Sequence, residues 1–325
     1  MLKGLNPQQI EAVIEEGNVL LTACPGSGKT RALTYKIAYE LERLTNSKKI
    51  IIAVTFTNRA ADEIKKRIRE LNTDDTNLWA GTIHSFCLEW ILRPYMCYLD
   101  ELKNGFSISD EYNSENLMSE LKKTYGLNFW DSVSTKYLPN GEKEEVVYRE
   151  LLDEYHETLA SKKLIDFDQI LHYAHQLILA YPKISEILKN MFHLICVDEY
   201  QDTQQLQYAI LAKIMKGASG DCKMFFVGDS DQAIYGSLGG VAKELEVINN
   251  EFGVVFTGKE LSGNYRSNQQ IIDYYRNFQT TNIDIKALGT NANDGAIITY
   301  NRTVHKDDLT VYISEIIKQK IAEGI

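Results

Sequence analysis

The chain has 325 residues, room for two or three domains, and its 44% hydrophobic and 25% charged content is that of a soluble globular protein. A net charge of −10 removes overall basicity as a ground for nucleic-acid binding, so any such surface has to be local. No apolar run reaches membrane length, Met1-Leu2-Lys3-Gly4 does not open a signal peptide, and the scattered cysteines (Cys24, Cys87, Cys97, Cys196, Cys222) form no C-x-x-C pair, which fits a reduced cytoplasm and speaks against a zinc or iron–sulfur site.

Leu5-Asn6-Pro7-Gln8-Gln9 precedes the amphipathic run Ile10, Ala12, Val13, Ile14; Asn6 can cap a helix and Pro7 suits its first turn. Asn18 to Ala23 reads as a buried parallel strand, broken at Pro25, Gly26 and Gly28 and resumed at helical spacing by Leu33 and Ile37. Strand, glycine loop and helix make a phosphate cradle. The loop N–H groups and the helix N-terminus attract an anion, Lys29 would reach the outer phosphates, and Thr30 would hold Mg²⁺. Ala23 stands where the strict pattern has its first glycine, and alanine still allows close approach. The plainer alternative is a tight strand-to-helix turn with an exposed Lys-Thr pair.

Lys48 to Thr57 reads as a second buried strand, after which Asn58-Arg59-Ala60-Ala61 opens a helix to about Leu71. That helix carries Lys65, Lys66, Arg67 and Arg69, either a solvated face or a local nucleic-acid contact. Phe56 falls at the C-terminal mouth of the strand, where open α/β sheets bind ligands, as core or as a stacking platform. Leu78 to His84 is a third strand, leading into Ser85 and Phe86, with no Cys–His or Ser–His–Asp set around His84.

From Phe86 to about Met191 helical periodicity dominates, with helices expected at Val146 to Leu159 and Leu164 to Leu179, so the stretch reads as a helical insertion. The sheet resumes at His193 to Val197 and runs into Asp198-Glu199-Tyr200-Gln201-Asp202-Thr203, with Asp202 expected to cap the next helix and Gln205 at the capping-box position. Asp198 and Glu199 are not needed for capping. Two carboxylates at a strand mouth suit Mg·ATP hydrolysis, one holding the metal and the other activating water. Met224 to Val227 and Val254 to Phe256 read as further strands, the first ending in the acidic loop Gly228 to Gly236. A helix from Asn268 to Phe278, a strand from Ala296 to Tyr300 and a helix from Leu309 to Ala322 follow.

Leu5 to Gln9, Ala23 to Thr30, Thr55 to Ala61, Gly81 to Phe86, Val197 to Thr203, Gly228 to Gly236 and Asn264 to Ser267 stand in one order that resembles the UvrD/Rep/PcrA-type superfamily 1A DNA helicases, and Ile165 to Asp168 fits a signature of their inserted domain. The resemblance implies an α/β fold: a RecA-like P-loop NTPase parallel sheet (1–87 and 191–261, domain 1A), a helical insertion (88–190, domain 1B) and the beginning of a second RecA-like domain (262–325, domain 2A). It implies an ATP-dependent helicase or translocase using ATP and Mg²⁺.

By the same resemblance Ala23, Cys24, Pro25, Gly26, Ser27, Gly28, Lys29, Thr30 and Arg31 surround the nucleotide. Gln9 would read the adenine edge and Tyr265 stack on it. Asp198 joins Thr30 on the metal and Glu199 activates water. Gln232 and Arg266 respond to the γ-phosphate. Phe56 and Tyr235 would stack on bases of single-stranded DNA or a single-strand/duplex junction, while Asn58, Thr82, His84 and Ser85 line its path. A repair or nuclease partner is typical of such proteins. Ser237 and Leu238 stand where the family has an aromatic residue and an arginine, and the family's later motifs are absent before Ile325. The chain therefore reads as an N-terminal part, poorly active alone; a non-motor ATP-dependent DNA-binding switch or accessory subunit is the alternative.

Overall fold

A computed structural model of the chain describes residues 2–46, 48–217, 220–236, 239–295, 301 and 303–323. The expected strand at 296–300, and Ser237 and Leu238, lie outside the described residues. Six strands form a wholly parallel sheet: β1 (Asn18–Ala23), β2 (Ile50–Thr55), β3 (Leu78–Thr82), β6 (Phe192–Asp198), β7 (Lys223–Gly228) and β8 (Phe256–Leu261), in the order β3-β2-β6-β7-β1-β8. Two-residue pairs complete the strands, β4 (Ser107–Ile108) with β5 (Leu164–Ile165) and β9 (Gly263–Asn264) with β10 (Lys286–Ala287).

The apolar runs are continuous because both faces are covered. Leu20, Ile52, Val54, Ile195, Val197 and Phe226 point to one side, where the helices Phe167–Ala180 and Gln205–Met215 lie. Their neighbours Val19, Leu21, Ile51, Ala53, Cys196 and Phe225 point to the other. That second face is covered by α1 (Pro7–Ile14), α2 (Lys29–Arg43) and α3 (Asn58–Glu70), through Ala12, Leu33, Ile37, Ile64 and Ile68.

Several boundaries differ from the sequence reading. The strand expected at Val254 to Phe256 runs from Phe256 to Leu261, and the third strand stops at Thr82, whose hydroxyl accepts from Ser85 N at 3.2 Å and starts a helical turn. Asp202 does not cap the next helix. Gln204 does, in a capping box with Gln207, because residues 200–202 form a tight turn of their own. Asn6 and Asp166 cap as capping boxes with Gln9 and Gln169. The expected insertion divides in its packing: Ile91, Leu171, Leu177 and Leu188 join the main core, and a small separate cluster forms around Leu121, Leu151, Leu152, Tyr155 and Leu159. The helix Leu309–Ala322 forms as expected, with its apolar side chains exposed.

One buried network escaped the sequence reading. Lys36 is 0% exposed; its Nζ donates to Val13 O (3.2 Å), Glu15 O (2.6 Å) and Glu40 Oε1 (2.7 Å), so it closes the C-terminal end of α1. The second carboxylate oxygen of Glu40 lies 2.9 Å from His193 Nε2 on β6. Burial alone would raise the Glu40 carboxyl, but the His193 hydrogen bond and the Lys36 and Lys223 cations outweigh it and hold it at about 2. An acid depressed in the fold stabilises it above its ordinary titration, and that contribution disappears as pH falls from about 4.5 to about 2. Glu40→Gln should therefore lower unfolding free energy by ~3 kcal/mol at neutral pH, with the gap to wild type shrinking across that acid range in urea titrations. A constant gap would remove the ionic explanation.

Candidate functional site

All strands of the main sheet point the same way, so the loops that follow them share one rim. β1 leads into the glycine loop, in which Gly26 (φ +71°) and Gly28 (φ +82°) take left-handed backbone conformations that a side chain disfavours. Space forbids one as well. A Cβ on Gly26 would sit 2.8 Å from Arg266 Cβ, and one on Gly28 would sit 2.8 Å from Gln9 Nε2. Gly28 is the N-cap of α2 and brings no side-chain acceptor to the first N–H groups of that helix. Ser27 Oγ and Lys29 Nζ are buried with no hydrogen-bond partner. Unsatisfied donors, converging on a helix N-terminus, fit an anionic phosphate group.

Across the rim, β6 delivers Asp198 and Glu199. Lys29 Nζ lies 3.1 Å from Glu199 Oε2, near enough for an ion pair but not aligned as a hydrogen bond. Burial, then the neighbouring Glu199, push Asp198 up to about 7 against the pull of Lys29. Glu199 occupies the left-handed region (φ +50°, ψ +51°), rare for a residue with a side chain, and its N–H donates to Asp198 Oδ1 at 3.1 Å. Among the described residues no group of three or more His, Cys, Asp or Glu is placed to cage a metal. Mg²⁺ does not require one, since it is commonly held by one or two carboxylates together with substrate phosphates and water.

Tyr265 and Arg266 follow β9 and border the loop: Tyr265 N donates to Gly26 O (2.9 Å) and Tyr265 Oη accepts from Asn6 Nδ2 (2.8 Å). Gln9 is 2% exposed, its Oε1 accepting from Asn6 N and its Nε2 donating to Ser27 O, so its amide braces the loop from beneath. Thr30 stands in the first turn of α2, and Arg31 beside it places its guanidinium 5.7 Å from the Tyr35 ring centroid. Cys24 and Ile272, Ile283 and Ile285 share a small apolar cluster, and burial, then Asp229, push the Cys24 thiol up to about 12. Gln232 donates to Asp229 Oδ2 at 2.6 Å.

A cavity of about 270 Å³ beside Asp198 and Glu199 is walled by Phe56, Thr82, His84 and Thr203. Phe56, 55% exposed, and Tyr235 come from different loops and stack on each other with centroids 5.2 Å apart and planes 22° from parallel. His84 meets Phe167 edge-on, and burial holds its imidazole below the ordinary range against the opposing charge of Asp168. Asn58 is exposed at the start of α3. Arg67, Lys66 and Arg69 pair with Glu63, Glu70 and Asp75, as on a solvated helix face.

Three residues without a role in the sequence reading prove central. Asn264 donates to Pro25 O and Tyr275 Oη and accepts from the N–H groups of Arg266 and Ser267. Asp231 accepts from the backbone N–H and the hydroxyl of both Thr280 and Thr281. Gln201 spans Glu199 and Asp229. All three lie inside motifs already singled out, so the signal was present; their distant partners, Pro25 for Asn264, Thr280 and Thr281 for Asp231 and Asp229 for Gln201, were not.

Strand, glycine loop and helix on the rim of a parallel sheet, facing an acid pair, define an α/β protein built around an anion cradle. Residues 5–136 and 128–253 match the family described as UvrD/REP helicase N-terminal domain, and the chain belongs to that family. It is 30% identical over 354 residues to the ATP-dependent DNA helicase UvrD1 of Mycobacterium tuberculosis, covering 100% of this chain and 45% of the relative. The Mycobacterium leprae protein of the same name is 30% identical over 361 residues (100% and 46%), and the ATP-dependent DNA helicase PcrA of Staphylococcus aureus 30% over 346 (98% and 46%). The chain thus spans about half the length of these curated relatives.

Gly26→Ala should strain the loop and push on Arg266 and Asn264, lowering stability by ~1–3 kcal/mol. A melting curve unchanged from wild type would show that the loop relaxes freely.

Proposed function

We propose that this chain is the ATP-gripping and strand-gripping part of a DNA helicase or translocase, coupling Mg-ATP hydrolysis to movement along or unwinding of DNA. The observation that carries the reading is the 3.1 Å approach of Lys29 Nζ to Glu199 Oε2, which joins the glycine loop and the acid pair in one site. Residues 1–87 and 191–261 act as the nucleotide-binding core, 88–190 as the insertion and 262–325 as the start of a second core domain.

The triphosphate lies on the loop N–H groups and the α2 N-terminus, and Lys29 releases Glu199 to take the outer phosphates. Thr30 and Asp198 would hold Mg²⁺, which would supply positive charge against the phosphate oxygens. Burial disfavours the ionised Asp198, and a cation held there would favour it. Glu199 orients the attacking water and takes its proton. Tyr265 covers the base beside Gln9, and Arg266, exposed above Gly26, reaches the γ-phosphate. Phe56 and Tyr235, already parallel, open to admit a base of single-stranded DNA or of a single-strand/duplex junction; stacking tolerates any base, as a stepping motor requires. Thr82, His84, Ser85 and Asn58 line the strand's path.

Lys29→Ala should abolish binding of an ATP analogue, whereas Glu199→Gln should keep it and lose turnover. Unchanged affinity in the first variant would remove the phosphate cradle. Phe56→Ala should weaken oligo(dT) and oligo(dA) alike, by about 5- to 150-fold; a loss confined to one sequence would contradict the stacking role.

A further inference from the structure

We propose that Gln201 is a positioning residue whose amide links the aim of the Glu199 carboxylate to the loop that carries Tyr235, so that nucleotide and strand are felt by each other through it. This rests on the function proposed above and adds a route between its two sites.

Gln201 is 2% exposed, and its side chain is fully committed. Nε2 donates to Glu199 Oε2 at 2.9 Å and to Asp202 Oδ2 at 3.3 Å, while Oε1 accepts from Asp229 N at 3.0 Å. The first bond matters because Glu199 stands at a left-handed backbone position outside helix and strand, so no regular element fixes where its carboxylate points. Lys29 approaches that carboxylate without hydrogen-bond alignment, and the aligned bond comes from Gln201.

The other end of the amide leads to the strand site by short steps. Asp229, 2% exposed, accepts from Asp231 N (3.1 Å) and Gln232 Nε2 (2.6 Å), which shapes the turn Ser230–Gln232. Ile234 N then donates to Gln232 O (2.8 Å), and the next residue is Tyr235, stacked on Phe56. A base entering between those rings displaces Tyr235, loads this turn, and moves the Asp229 N–H to which the Gln201 amide is tied.

The space for that amide is provided by Gly228. A Cβ there would sit 2.2 Å from Gln201 Oε1 and 2.6 Å from Tyr200 Cδ1. Gly228→Ala therefore disturbs the same link from the opposite side, without altering Gln201.

The test titrates mant-ATPγS with Mg²⁺ into the 325-residue chain, with and without oligo(dT), for wild type, Gln201→Met and Gly228→Ala, with circular dichroism to verify folding. Wild type should change its analogue affinity about 5-fold or more on adding oligo(dT), the ordinary scale of coupling between sites. Gln201→Met should retain both separate affinities and lose that change, and Gly228→Ala should behave alike, so that one variant suffices if the other fails to fold. Folded variants that keep the wild-type change overturn the proposal. So does a parallel loss of both affinities, which marks plain structural support, and so does a wild type that binds both ligands without mutual effect. A wild type that binds neither ligand instead overturns the function proposed above.

Discussion

Parallel pairing in a common register is the constraint on which the rest depends. Thr22 pairs with Gly228, Val227 with Asp198, and Thr55 with Thr82. Strands that run the same way and end level deliver their following loops to one rim. A glycine loop, an acid pair, an aromatic residue and an acidic turn, the first and last about two hundred positions apart, become neighbours without any of them having to reach.

The rim is electrostatically unfinished. Lys29 and Ser27 are buried donors without aligned acceptors, Asp198 is held near 7 by burial and by Glu199, and Glu199 sits in an uncommon backbone conformation. Each feature costs stability in the free chain, and the proposed occupant, a phosphate group accompanied by a cation, would satisfy the two donors and favour the ionised form of Asp198. The continuous two-faced core and the Lys36–Glu40 network supply the stability that tolerates such a site.

The segment beyond β8 is tied to this rim at several points. Asn264 and Tyr265 hold the backbone of the glycine loop through Pro25 O and Gly26 O, Ile272, Ile283 and Ile285 cover Cys24, and Thr280 and Thr281 saturate Asp231. The loop after β1 and the turn after β7 are thus both gripped by one later stretch.

The sequence by itself determined the strands, because runs such as Leu20-Leu21 and Ile51-Ile52-Ala53 are buried on both faces and carry their own signal. It determined the loop, because only glycine accommodates the backbone at positions 26 and 28, and the helix start at Asn6, because capping is local chemistry. The order of its motifs was enough to name the family. It misplaced the last strand of the sheet and the cap of the helix after Thr203, where several polar residues compete and tertiary packing chooses among them. Only the tertiary structure decided which side chains meet: Lys36 with the end of α1, Phe56 with Tyr235, Asp231 with Thr280 and Thr281, Gln201 with Asp229. Those contacts lie beyond the reach of any local propensity or period; Phe56 meets Tyr235 because only β6 stands between β2 and β7 in the sheet, although the helical insertion separates β2 from both of them in the sequence.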